Sequence, residues 1–203
     1  EFVFNDRDPR GGLKGEALKD VSQSYIEGWL SRKEDIKAKV KALIMMQLNT
    51  IEVSGRNLVV ADVIVRYIIK TLQRDLELLK KEGRDSFEIL GREIRVAGEF
   101  CGQRFKGFID RLDSFKDEQA RVVDYKTGKV LEDDENIHDG NAEEIAEKIF
   151  NPDMKNWPKI ALQFYIYDML VQSRPEVRGR EICNCVYSTA HLFKDPPKNV
   201  PLN

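Results

Sequence analysis

Two aspartates and a lysine stand where hydrolytic chemistry could be done. Asp110 lies in Gly107-Phe108-Ile109-Asp110-Arg111-Leu112-Asp113, and Asp124 and Lys126 lie in Val122-Val123-Asp124-Tyr125-Lys126-Thr127-Gly128. If Lys116 to Gln119 joins two antiparallel strands with the register centred near Asp117, Asp110 and Asp124 fall directly opposite each other. Cross-strand Cβ atoms are then about 4.5–5.5 Å apart, and two carboxylates that close repel unless a cation lies between them. A hard, oxygen-seeking ion such as Mg²⁺ is the natural cation. Lys126, two residues beyond Asp124, shares its face, while Tyr125 points to the other. A metal that polarises a phosphate oxygen and acidifies bound water, beside a lysine that orients the water or meets developing charge, is machinery for phosphodiester hydrolysis. Gly128 permits a tight turn next to the site. An isolated Asp-x-Lys on a hairpin is most often a surface ion pair. Here a preceding Gly-x-x-Asp, an apolar approach strand, and Gln163 and Tyr167 one helical turn apart point to more.

The elements that must position these residues are legible as changes of period. From Gly15 to Leu48 apolar residues recur at three- and four-residue steps, predicting two helices, and Leu58 to Lys81 predicts one long helix after the break at Gly55 and Asn57. Charges on these helices read as a solvated face. Beyond Gly83, residues 87–90, 93–96, 105–115 and 121–125 read as strands of one sheet. Asp133 to Asn141 reads as an acidic loop, Ala142 to Phe150 as a short helix, and Lys159 to Gln172 as an amphipathic helix starting after Pro158. Glu181 to Tyr187 predicts a last strand, and Pro196, Pro197 and Pro201 mark a frayed tail. The expected fold class is α/β: a central mixed sheet flanked by helices over 87–203, with an N-terminal helical region over 1–86, in a single domain.

Composition excludes several alternatives. The 203 residues carry 33 Lys+Arg against 35 Asp+Glu, a formal charge of -2, so any nucleic-acid face must be local. Arg104, Lys106, Arg111, Lys126, Lys129, Lys155 and Lys159 are the candidates for it. Three cysteines, Cys101, Cys183 and Cys185, read as small buried hydrophobes of a reducing compartment. His138 and His191 are the only histidines, so a His-rich zinc site is not expected. There is no signal peptide and no apolar run of spanning length, which predicts a soluble, cytoplasmic protein without a membrane partner.

The motifs Gly107 to Asp113, Val123 to Gly128 and Gln163 to Tyr167, in that order, resemble those of RecB/AddB-type nuclease domains of the PD-(D/E)xK superfamily over roughly residues 87–190. The resemblance implies a restriction-endonuclease-like core and a metal-dependent deoxyribonuclease, an exonuclease working with a helicase domain or subunit in DNA end processing, recombination and repair. It implies Asp110, Asp124 and the main-chain carbonyl of Tyr125 as ligands of Mg²⁺, with Mn²⁺ able to substitute. Lys126 is then the catalytic lysine, Gln163 organises the catalytic groups, and Tyr167 approaches the DNA, as Arg111 and Lys129 could. Glu93 and Glu99 are weaker candidates for a further carboxylate, and Arg111 is more simply a surface partner of Asp113.

Two departures accompany the likeness. Relatives often carry a metal-ligating His on an early helix, and no His precedes His138. Either Gly15 replaces it or that helix precedes Glu1, and the abrupt start at Glu1 favours a fragment of a longer chain. Relatives with an iron–sulfur cluster use four cysteines, so no cluster is expected. The competing readings are a catalytically degenerate domain that binds nucleic acid or a helicase, and a plain interaction module.

Overall fold

The computed structural model describes residues 19–128, 130, 141–155, 157–190 and 192–193, with the backbone of 201–202. The chain falls into two compact units, residues 1–88 and 89–203. In the first, a short strand β1 (Asp20–Ser22) leads into helices α1 (Gln23–Ser31), α2 (Lys33–Leu48) and α3 (Arg56–Lys81). Ser22 caps α1 by accepting the Tyr25 N–H at 3.1 Å, which satisfies one of the donors a helix start leaves orphaned. The expected division into two helices comes at Arg32, whose ψ of 56° leaves the helical region. Buried Ile26, Ile36, Val40, Leu72 and Leu79 give these helices their apolar faces. Val21, read from its period as helical, instead pairs with Phe87 in a β1–β2 ladder. A pairing with residues so distant in sequence overrides the local pattern.

Strand β2 (Ser86–Phe100) begins in the first unit and belongs to the second from Ile89 onward. There the sheet continues in the order β2, β3 (Gln103–Ser114), β4 (Gln119–Lys126), β5 (Glu181–Ser188) and β6 (Pro201–Leu202). It is a mixed sheet: β3 runs antiparallel to β4, β4 parallel to β5, and β5 antiparallel to β6. The two short runs expected over 87–96 are one strand, locally bent where Glu93 takes a φ of 48° and Ile94 fills the space beside Gly91. Cys101 and Gly102, both at positive φ, make the turn into β3. The β6 pairing falls in what reads as a frayed tail.

A parallel pair needs a crossover, and the β4–β5 crossover carries α4 (Ala142–Phe150) and α5 (Lys159–Val171). On α5, Ile160, Phe164, Tyr167 and Val171 recur at steps of four, three and four and so share one face. That face packs on Ile109, Leu112, Val122 and Val186 of the sheet. Burying a side chain such as Phe164 stabilises by about 1.5–3 kcal/mol.

The opposite sheet face holds Val123, Cys185, Tyr187 and Leu192, with Tyr125 against them. It also holds a buried ion cluster. Arg121 makes a two-bonded fork to Asp113, at 2.8 and 2.9 Å, and Arg111 Nε lies 2.7 Å from the same carboxylate. Arg111 thus pairs with Asp113 as expected, but at 2 % exposure the pair is interior. Of the cysteines only Cys185 is buried; Cys101 is exposed at the turn, and burial pushes the half-buried Cys183 thiol up to about 11.

Strand β3 changes face midway. Gly107 lies against Tyr167 and Ile109 joins the α5 core, yet Arg111 lies on the Tyr187 side and Leu112 back on the α5 side. Strict alternation would put 107, 109 and 111 on one face. The strand therefore carries an irregularity between Ile109 and Arg111, and Asp110 sits in it, the kind of place where bulges re-aim a side chain.

Candidate active site

The β3–β4 register opposes Arg111 to Val123, Leu112 to Val122 and Asp113 to Arg121, so the hairpin is centred on Asp117 as expected. Asp110 and Asp124 adjoin the end of that paired register. Asp110 Oδ2 accepts the Tyr125 main-chain N–H at 2.8 Å, which holds its carboxylate beside the Asp124–Tyr125 peptide. The Tyr125 ring turns to the other face, 5.5 Å from Tyr187.

Asp124 is 4 % exposed and is held from two sides. Lys126 Nζ lies 2.7 Å from Oδ2, and the Gln163 side-chain amide donates to Oδ1 at 3.0 Å. Lys126 donates to Gln163 Oε1 at 2.9 Å, closing a triangle of three side chains. The second N–H of the same amide donates to the Tyr167 hydroxyl at 3.0 Å, and that hydroxyl donates to the Phe108 carbonyl at 2.8 Å. Both Gln163 amide hydrogens and the Tyr167 hydroxyl hydrogen have an acceptor, which fixes the amide orientation of Gln163. The tyrosine ring reaches β3 only because residue 107 is glycine: a Cβ there would stand 2.6 Å from Tyr167 Cε1.

A family model described as the PD-(D/E)XK nuclease superfamily matches residues 13–183. The chain belongs to the PD-(D/E)XK nuclease superfamily. Comparison with curated proteins and with solved structures gives no match. Membership accords with the α/β fold and its mixed sheet, and nucleases of this superfamily generally use divalent metals such as Mg²⁺.

The electrostatics of the candidate site suit such an ion. Burial pushes the Asp110 carboxyl up; the Tyr125 N–H opposes this, while the charges of Asp124 and Glu93 add to it. Asp124 Oδ2 is buried and touches Lys126 without a well-directed hydrogen bond, so it retains acceptor capacity. An Asp110 carboxylate made costly by burial and by its acidic neighbours, beside a second carboxylate with a free lone pair, fits a divalent cation. Among the described residues no compact group of three His, Cys, Asp or Glu is present, so Glu93 is felt by Asp110 electrostatically without completing a cluster. Glu99 is not among the charges that move Asp110.

The structure thus brings together Asp110, Asp124, Lys126 and Gln163 directly, with Tyr167 behind them. Tyr167 is 8 % exposed and its hydroxyl is engaged on both sides, which makes it a support of the cluster rather than a surface contact. Arg111 spends its charge inside the fold, on the Tyr187 face, and is not carried into a DNA-facing set. Lys129, His138, His191 and Gly15 lie outside the described residues. Sequence reasoning missed the Phe108 carbonyl as the far end of the hydrogen-bond chain. The signal was Gly107, whose missing side chain marks a close approach. Among the described residues no helix is long and apolar enough to cross a membrane.

Proposed function

We propose that this chain is a metal-dependent DNA nuclease that hydrolyses phosphodiester bonds, of RecB/AddB type and acting as an exonuclease beside a helicase in end processing for recombination and repair. The observation that carries the chemistry is the closed triangle of Asp124, Lys126 and Gln163 beside Asp110. The three-motif order supports the finer assignment.

Asp110, Asp124 and the main-chain carbonyl of Tyr125 would hold Mg²⁺, with Mn²⁺ as a substitute. When bound, the ion supplies Lewis acidity toward a phosphate oxygen and lowers the pKa of coordinated water. The chain's own residues do the rest. Lys126 has three N–H donors; Gln163 Oε1 accepts from one, and beside the ion pair with Asp124 there is a donor left for the attacking water or a phosphate oxygen. Its side chain, 29 % exposed, opens toward solvent where a substrate would arrive. Gln163 holds Lys126 and Asp124 at fixed separation, so the ammonium meets developing charge without rearranging first.

The test is cleavage of end-labelled single- and double-stranded DNA with Mg²⁺ or Mn²⁺, for the chain and for Asp124→Ala and Lys126→Ala. Metal-dependent cutting lost in both variants is the expected result. A folded chain that binds DNA and cuts none under any metal would instead support the second reading, a degenerate domain.

A further inference from the structure

Strand β3 carries a stripe that the hydrolytic cluster does not use. Arg104, Lys106 and Phe108 alternate along it and are exposed, while Ile109 between Phe108 and Asp110 is fully buried. Phe108 is 59 % exposed, unusual for a large aromatic two residues from a half-buried acid. Neither Arg104 nor Lys106 makes an ion pair among the described residues, and both are exposed. Gly107, on the opposite side of the strand, is covered by Tyr167, so the stripe faces away from α5.

The Phe108 main chain is also tied to the hydrolytic cluster. Its carbonyl accepts from Tyr167, which takes a hydrogen from Gln163, which in turn holds Asp124 and Lys126. The backbone that carries the exposed ring is therefore linked to those groups through three hydrogen bonds. Two cations followed by an aromatic along one strand face match what binds single-stranded nucleic acid: cations track the backbone and a ring stacks on a base. A base inside a duplex already has both faces stacked, so a lone aromatic platform selects strands whose bases are free. Residues two apart on a strand are about 6.8 Å apart, the scale of one nucleotide step.

The geometry points to Phe108 as a base-stacking platform that, with Lys106 and Arg104 on the phosphates, binds a single-stranded DNA segment along the exposed face of the strand that carries Asp110. This deepens the nuclease reading by naming its substrate class, and rests on that reading. Phe108 is a binding residue that touches the strand, distinct from the groups that carry the hydrolysis.

The experiment reads binding without cutting: fluorescence anisotropy of a labelled oligothymidine and of a labelled duplex, with EDTA present, for the chain, Phe108→Ala, Phe108→Trp and the pair Arg104→Ala with Lys106→Ala. Phe108→Ala is expected to weaken oligothymidine binding by about 5- to 150-fold, with Phe108→Trp retaining it and duplex binding little changed. The Arg104 and Lys106 pair should reduce the salt dependence of binding. Unchanged oligothymidine affinity in Phe108→Ala, or equal losses on single and double strands, would overturn the platform. Because no cleavage is read, a chain that cuts nothing yet loses single-strand binding in Phe108→Ala would sustain the platform while the nuclease reading failed.

Discussion

Tyr167 donates its hydroxyl hydrogen to the Phe108 carbonyl at 2.8 Å, joining α5 to the strand that carries Asp110. The bond places the helix that holds Gln163 at one height along β3. Tyr167→Phe removes it and leaves one Gln163 N–H and the Phe108 carbonyl without partners. The expected cost is about 1–3 kcal/mol of stability. Activity should fall as well, because the Gln163 amide that holds Asp124 and Lys126 loses one of its anchors. Urea unfolding and steady-state cleavage check the two parts separately.

Divalent cations should stabilise the folded chain. At ten times Kd a ligand that binds only the native state adds about 1.4 kcal/mol, a rise of about 3–6 °C in Tm for a chain of this size. Asp124→Asn should abolish most of that rise, since it removes one of the two carboxylates that a cation would neutralise. Thermal melts with and without Mg²⁺ or Mn²⁺ decide it, and an equal rise in both proteins would remove Asp124 from the ligand set.

The buried cluster on the other sheet face gives a stability prediction unconnected to hydrolysis. Asp113→Ala leaves Arg111 and Arg121 buried beside each other without their shared carboxylate, which should cost about 3–5 kcal/mol. Adding Arg121→Met should recover part of the loss, because one stranded charge and its hydrogen-bonding demand go with it. A double-mutant cycle in urea reads the coupling.

Asp168 sets a pH dependence. Burial pushes its carboxyl up to about 6, with the Asn184 amide hydrogen bond at 2.8 Å opposing. The folded value exceeds the ordinary 3.8, so the folded chain binds the extra proton. Its stabilising contribution is complete below about 3.8 and is lost as pH rises through about 6. At neutral pH this group costs at most about 3 kcal/mol relative to its protonated form. Asp168 Oδ1 and Asn184 Oδ1 are both buried acceptors without hydrogen-bond donors, so an amide at 168 can satisfy the second. Asp168→Asn should therefore raise stability at pH 8 and leave it nearly unchanged at pH 4, measured as the difference from the parent chain across that range.

Much of the site was readable before the fold was known. The hairpin register follows from where Lys116 to Gln119 interrupts the apolar run, and it brings Asp110 and Asp124 to neighbouring places. The four-residue spacing of Gln163 and Tyr167 set both on one turn of α5. What sequence could not show depended on partners far along the chain. The β1 strand is fixed by Phe87, not by its own period. Arg111 reads as a surface charge because its burial is decided by Tyr187 and Asp113 together, and Tyr167 reads as a DNA contact because its packing depends on an absent Cβ at Gly107. Polar groups in an interior are legible only once their acceptors are known.

The parallel pairing of β4 with β5 also governs when the site can exist. Asp110 and Asp124 are joined by a hairpin, a contact of short sequence range that closes early and quickly. Gln163 reaches Lys126 across 37 residues, and β5 pairs with β4 only after the whole crossover has been laid down. Loop closure over such a span is slow to be rewarded. During synthesis the hairpin that carries Asp110, Asp124 and Lys126 can therefore form before the helix and strand that close the crossover beside it.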